Sequence, residues 1–328
     1  MTVIDMHNHM IAPDVVAFLE LEGARFNTRI VDRDGGRFAV IEETAMRPIN
    51  ERMTQPAARI ADMDALGIDI QAVSCVPFIM YPDVAPDLGL AIAQVNNDAL
   101  AEMGRKQPDR FVPVASVCMQ DPVGAARELE RAQKLGMRAV QIPPKVGEQG
   151  LDEPRFEVFW ATAAALHIPV IIHPFEAAPQ GPLARYGLGN FVGNLYDTGL
   201  AAALLICGGV LERHPGLRIV LCHAGGALPS LLGRLDNGQR LMGAKGMPIS
   251  RPPSSFMDQF WLDIISFNRE MLRYLAASYG ADHLVIGTDY PLGAGIADPV
   301  AEVRALGLSA EHQRLVLGEN AEGLLSGA

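Results

Sequence analysis

Eight short apolar runs recur along the chain, each separated from the next by a stretch with helical spacing, and this alternation limits the fold more than any other feature. The runs are Val3–Met6, Ile70–Val76, Phe111–Val117, Ala139–Ile142, Val170–His173, Ile219–His223, Phe260–Ile264 and Leu284–Gly287. Runs of this length read as buried strands, and strands alternating with helices read as βα units of a parallel sheet. The helices between them have legible ends. Asp121-Pro122 supplies an N-cap and a first-turn proline, and Leu135-Gly136 closes that helix. Glu153-Pro154 opens the next, with Phe156, Phe159, Trp160 and Ala163 on one face; Ile60, Met63 and Leu66 followed by Gly67 mark the first outer helix. Eight such units predict a (β/α)8 barrel, and 328 residues suit one barrel of roughly 250 residues plus insertions. The expectation is a single domain, 1–328, without internal repeat or boundary.

Met10 to Gln55 is too long for an ordinary βα loop. It reads as an insertion of about residues 10–55 over the active-site face, with Asp34-Gly35-Gly36 joining Arg29-Ile30-Val31 to Phe38-Ala39-Val40-Ile41 as a hairpin. Further insertions run from Phe175 to Asp197 and from Gly243 to Ser255.

Composition narrows the function. A net charge of -11 argues against binding to phosphate backbones or anionic membranes. The longest apolar run, around Gly199 to Val210, is far short of a membrane span, and no secretory pattern opens the chain. Cys75, Cys118, Cys207 and Cys222 show no C-x-x-C spacing and read as reduced thiols rather than disulfides. A soluble, cytoplasmic enzyme is expected.

The histidines say where its chemistry sits. His7, His9, His173 and His223 lie at strand ends on the face where barrels of this kind keep their active sites, and Asp289 follows strand eight by two residues. His167, His214 and His283 instead precede strands, and His312 falls in a C-terminal helix. A single histidine is usually structural; the shared placement of these side chains is what singles them out. His7 and His9, two apart in a strand, project to one side. Three neutral imidazoles and one carboxylate suit a borderline divalent ion such as zinc, with a position left for water or substrate. Strand four, Ala139-Val140-Gln141-Ile142, ends without a lysine to bridge a second ion, so one metal is expected. His223 is either a fourth imidazole ligand or an unligated acid/base beside the metal.

The residues resemble the amidohydrolase superfamily, and more narrowly its group similar to aminocarboxymuconate-semialdehyde decarboxylase. The likeness runs from Ile4 to about Leu325 through Asp5-Met6-His7-Asn8-His9, Met46-Arg47-Pro48, Arg59-Ile60-Ala61-Asp62-Met63-Asp64, Ile172-His173-Pro174, His223-Ala224-Gly225-Gly226, Gly233-Arg234, Arg251-Pro252-Pro253-Ser254 and Gly287-Thr288-Asp289-Tyr290-Pro291. The resemblance implies His7, His9, His173 and Asp289 as zinc ligands, with Mn2+ another suitable ion, and His223 as the acid/base. It implies Arg47 and Arg234 as clamps on substrate carboxylates, one of them reaching in from the partner subunit of a homodimer or higher homo-oligomer. Phe175 follows His173-Pro174 where a tryptophan would match, and Gly181–Gly193 and Leu292-Gly293-Ala294-Gly295 also depart from the pattern. These departures lie where a substrate ring would be gripped.

Arg234 lies in the apolar stretch Leu231-Leu232-Gly233-Arg234-Leu235, where a charge needs a partner, and Phe78, Phe175, Phe191 and Phe267 are as readily core as pocket wall. The expected activity is zinc-dependent, non-oxidative decarboxylation of an aromatic, heteroaromatic or muconate-semialdehyde-type carboxylic acid, with His223 or Asp289 managing the proton. A metal-dependent hydrolase or hydratase is the rival on the same frame, and a non-catalytic metal- or acid-binding barrel would predict a broken ligand set.

Overall fold

The barrel strands are buried along nearly their whole length, and alternate residues join an inner and an outer apolar layer. The computed structural model describes residues 1–43, 45–175, 181–293 and 295–327. Eight parallel strands follow one another in sheet order: β1 (Ile4–Met10), β2 (Ile70–Cys75), β3 (Phe111–Ser116), β4 (Ala139–Ile142), β5 (Val170–Ile172), β6 (Ile219–Leu221), β7 (Phe260–Asp263) and β8 (Leu284–Val285). Bridges from Asp5 to Ile286 and from Asn8 to Tyr290 return the last strand to the first, closing a (β/α)8 barrel.

Ile171, Val220 and Val285 point inward, where they meet Ile4, Met6, Ala72, Val114 and Ala139. Val170 and Ile172, Ile219 and Leu221, and Leu284 and Ile286 point outward into the layer shared with Leu129, Trp160 and Leu205 of the helices. The interior cluster ends on Ala321, Leu324 and Leu325 of the C-terminal helix Asn320–Leu325, which plugs one end. Asn320 Nδ2 fixes that helix by donating to the carbonyls of Ala281 and Leu284, at the start of β8. The opposite end is left for chemistry.

All eight expected strands are present, most trimmed by a residue or two. β1 is the exception and runs on to Met10, so His7 and His9 lie inside the strand rather than beyond it. Backbone pairing past Met6 is the cause: His9 N donates to Tyr290 O at 2.7 Å, and His9 pairs with Ser74 of β2. The helix opened by Glu153-Pro154 starts as a 3-10 turn over Pro154–Phe156 before Glu157–Ala165, and its four apolar positions are all buried.

After β1 the chain makes helix Pro13–Glu22 and then a three-stranded antiparallel sheet, Thr28–Arg33, Gly36–Ile41 and Ala45–Ile49. The hairpin is as expected; the third strand is not, because Pro48 breaks its pattern and is tolerated only at a sheet edge. Val15, Leu19, Phe26, Ala39 and Ile49 of this insertion pack on Cys75, Val76 and Ile79 beyond the end of β2, which seats it on the C-terminal face of the barrel. Of the insertion after β5, residues 176–180 lie outside the described residues; the rest forms short turns leading into helix Asn194–Cys207. Within the third insertion, Arg251 pairs with Asp258 at 2.9 Å. All four cysteines are free, and no helix among the described residues is long and apolar enough to cross a membrane.

Candidate metal centre and active site

The centre begins with an irregularity in β1. Asp5 pairs with Gln71 and Asn8 with Val73, so Met6 and His7 together oppose the single Ala72. This one-residue bulge changes which side the later residues face. Ile4 and Met6 point into the barrel interior; after the bulge His7 and His9 do so, while Asn8 turns outward to Arg59. His173 reaches the same space by ordinary alternation, two residues after the inward-facing Ile171. Asp289 follows β8, its backbone N–H and that of Thr288 donating to His7 O at 2.9 and 3.0 Å.

His7 Nε2 lies 3.2 Å from His9 Nε2, and Asp289 Oδ1 is 3.4 Å from the first and 3.0 Å from the second. The His173 ring stands 4.8 Å from that of His7 and 4.7 Å from that of His9, centroid to centroid. Each of the three imidazoles has an acceptor at its other nitrogen: Asp263 Oδ2 at 2.6 Å for His7, Cys75 O at 3.1 Å for His9 and Pro174 O at 2.5 Å for His173. Those acceptors hold the proton on Nδ1 and leave Nε2 a bare lone pair. Two such lone pairs face each other at 3.2 Å, and His173 Nε2 is buried with no hydrogen-bond partner among the described residues. Facing lone pairs repel unless a cation lies between them. The donor set, three imidazole nitrogens and one carboxylate in a buried pocket, fits a divalent ion.

Electrostatics agree. Burial, then the neighbouring His9 and His7, hold His173 well below the usual imidazole range, so it is neutral at pH 7. Burial opposes ionisation of Asp289 too, but the adjoining His7 and His9 outweigh it and hold the carboxyl well below the usual range. Burial works against a charged His7, yet Cys222, Asp263 and Asp289 beside it raise its pKa well above the ordinary value. Without an ion, the cluster gathers a proton where a cation would sit.

His223 completes the group. Its ring is 5.2 Å from that of His7 and 5.5 Å from that of His173, and its donor atom falls within 4.8 Å of those of His7, His173 and Asp289. Burial and then the charge on His7 push it down to about 4. It sits at φ 57° in a tight turn with Ala224 at 55°. Gly226, at φ 57°, follows; a Cβ there would stand 2.3 Å from Leu195 O, so only glycine lets this turn pack on the helix that follows β5.

Asp263, at the end of β7, was not singled out in the sequence, although an acidic residue closing an otherwise apolar strand is a legible signal. It is fully buried, and besides His7 it accepts from the backbone N–H groups of His223, Ala224 and Ile265 at 2.8–2.9 Å. Arg59 likewise stands out in the sequence only as part of a motif. It is fully buried behind β1, donating to His9 O at 2.6 Å, Asn8 Oδ1 at 2.7 Å and Gln71 Oε1 at 2.9 Å, with its guanidinium 4.9 Å from the Tyr290 ring. Burial lowers its pKa to about 10, which leaves it charged at neutral pH.

The remaining candidates stand further out. Arg47 is half-buried on the insertion's third strand, opposite Ala39. Arg234 is exposed, which corrects the expectation of a charge held in an apolar stretch: helix Leu228–Met242 buries Leu228, Pro229 and Leu232, and the helical period turns residue 234 to the other side. Phe175 and Phe78 are half-buried, whereas Phe191 and Phe267 are exposed and belong to neither core nor an enclosed wall.

Comparison with known proteins agrees with this geometry. A family model described as Amidohydrolase matches residues 4–326. A 2-amino-3-carboxymuconate-6-semialdehyde decarboxylase of Dictyostelium discoideum is 31% identical over 260 residues, 78% of this chain and 72% of the relative. A gamma-resorcylate decarboxylase of Rhizobium sp. is 31% identical over 251 residues, 71% of this chain and 76% of the relative. Among solved structures, a 5-carboxyvanillate decarboxylase of Novosphingobium aromaticivorans, complexed with manganese and 4-hydroxy-3-methoxy-5-nitrobenzoic acid, superposes with a TM-score of 0.82 at 25% identity, covering 99% of this chain and 96% of that one.

Proposed function

The chain belongs to the amidohydrolase family, and from that premise we propose that it is a metal-dependent decarboxylase that removes CO2 non-oxidatively from an aromatic, heteroaromatic or muconate-semialdehyde-type carboxylic acid. One observation carries the reading: the lone pairs of His7 and His9 and the Asp289 carboxylate converge within 3.4 Å beside the unpartnered His173 nitrogen, with His223 at their edge.

His7, His9, His173 and Asp289 hold the ion in this reading. Three nitrogens and one oxygen favour Zn2+, and Mn2+, present in the 5-carboxyvanillate decarboxylase complex, also suits the site. When bound there, a divalent ion would supply Lewis acidity that stabilises the charge left when CO2 departs. The bond between the carboxylate and its carbon breaks, the electron pair stays on that carbon, and a proton takes the place of CO2. His223 manages that proton. Burial keeps it neutral, with one ring nitrogen protonated and the other free, the state in which an imidazole both accepts and gives a proton. Asp289 is the second group within reach of it. Arg47 and Arg234 clamp substrate carboxylates through their planar forks, and Phe175 borders the ring site. Because Arg234 is exposed on a single chain, it serves across a homodimer or a higher homo-oligomer. The same reading makes the chain a single domain working in the cytoplasm, where its free thiols stay reduced.

The test is a product assay. Under nitrogen, with no organic cofactor, hydroxylated aromatic, picolinic and muconic acids are offered and CO2 is trapped as carbonate. Release of CO2 with loss of the carboxyl supports the reading. A product heavier by one water makes the protein a hydratase, and cleavage of a C–N or ester bond with the carboxylate intact makes it a hydrolase.

A further inference from the structure

The carbonyl of Cys75 does two jobs. It accepts from His9 Nδ1 at 3.1 Å, which aims that imidazole, and from Gln141 Nε2, also at 3.1 Å. Gln141 comes from β4 and is buried. Its amide has only one workable orientation, since turning it over would set two acceptor oxygens against each other at Cys75. That orientation leaves Gln141 Oε1 buried without a hydrogen-bond partner among the described residues. Asn96, on helix Pro86–Lys106, presents the same problem: its Nδ2 donates to Ser116 Oγ at 3.0 Å, and its Oδ1 is buried and unpartnered among the described residues. Both side chains line one small cavity, about 10 Å³, whose other walls include Ser116, Ile79, Ile92 and Val117.

An unsatisfied buried acceptor is costly to leave unmade, and here the two residues that carry one line the same space. Whatever sits there must donate twice and be very small. The volume is about the least that holds a single water, and a buried ammonium ion would bring a charge with no carboxylate lining the cavity to balance it. We infer that this cavity is a hydration site, in which one ordered water donates to Gln141 Oε1 and Asn96 Oδ1, and that Gln141, held by this water, is a positioning residue for His9. Through the Cys75 carbonyl, the water and the amide of Gln141 set the ring angle of a metal ligand two steps away. The hydration site stands on its own; only the link to metal binding rests on the reading of His9 as a ligand.

The test pairs a high-resolution crystal structure with Zn2+ titration against a chromophoric chelator, on the wild type, Gln141→Met and Asn96→Leu. Met keeps the length of Gln and removes both amide groups. The wild type is expected to show one water peak within hydrogen-bond distance of both oxygens, absent in both variants. Gln141→Met is expected to bind Zn2+ about tenfold more weakly with its melting temperature within a few degrees of wild type, a split that a purely structural role would not give. Asn96→Leu is expected to shift affinity the same way by a smaller factor, and it keeps the test open should Gln141→Met fold poorly. A dry cavity, or a peak bonded to one oxygen only, overturns the hydration site. A water in place with unchanged Zn2+ affinity in Gln141→Met overturns the positioning role. A wild type that binds no Zn2+ overturns the link to His9 together with the zinc reading and leaves the water result to stand or fall by itself.

Discussion

Asp263 and His7 form a fully enclosed pair, carboxylate oxygen to Nδ1 2.6 Å apart, and the same carboxylate holds the amides of His223 and Ala224. One side chain thus fixes both an imidazole of the metal cluster and the turn that carries the acid/base candidate. Asp263→Asn presents an amide where three backbone N–H groups and the His7 N–H need acceptors. Metal affinity is expected to fall by about 10–100-fold, and turnover at saturating metal to fall as well, because His223 loses its anchor. Chelator competition and steady-state rates with excess Zn2+ measure the two effects separately.

Purified protein is expected to hold one Zn2+-like ion per chain, and His173→Ala to lose it. Stripping the ion leaves a gathered proton as the cluster's sole positive charge, so the melting temperature should drop on chelation and return on adding metal; ligand linkage gives about 4 kcal/mol at a free concentration near 1,000 Kd. Elemental analysis and thermal unfolding check both points, and two ions per chain would count against the single-metal site.

His223→Asn is expected to keep its metal while turnover falls by roughly 10²-fold or more. If the metal is lost instead, His223 is a ligand, a role its proximity to His7, His173 and Asp289 permits.

Arg47→Lys and Arg234→Lys each lose the bidentate fork and should cut kcat/KM by about tenfold or more. Mixing the two impaired variants should recover part of the activity if one arginine acts across the subunit interface. Wild-type rates in both single variants would end the clamp reading.

Gly287→Ala tests how tightly the ligand is held. A Cβ there would stand 2.8 Å from that of Asp263 and 2.9 Å from that of His7. Separating the pair should cost about 1–3 kcal/mol of stability and weaken metal retention; differential scanning calorimetry and chelator competition give the two readouts.

The barrel was legible because each strand is a short apolar run between helices, and seven of the eight runs agree with the structure to within two residues at either end. The position of the site was legible because His173 and Asp289 sit at strand ends. What stayed hidden depends on contacts between distant residues. Asp263 reads as one acid among many until β7 brings it under His7, 256 residues away. Arg59 lies on an outer helix, where arginines are usually solvated, and only the fold shows it buried against the His9 carbonyl. Arg234 misleads for the opposite reason: its apolar neighbours in sequence do not share its side of the helix.

The extra residue in β1 has a consequence for how such chains are sorted by sequence. With Met6 and His7 sharing one partner position, both imidazoles fall inward. Pairing the same residues in plain alternation, without the bulge, would carry His7 and His9 to the helix side with the His-x-His spelling untouched. Deleting Met6 would instead keep both inward, because His7 would take the inward place of the lost residue. A pattern search reads the spelling alone, while the register of β1 against β2 decides whether the two imidazoles can meet.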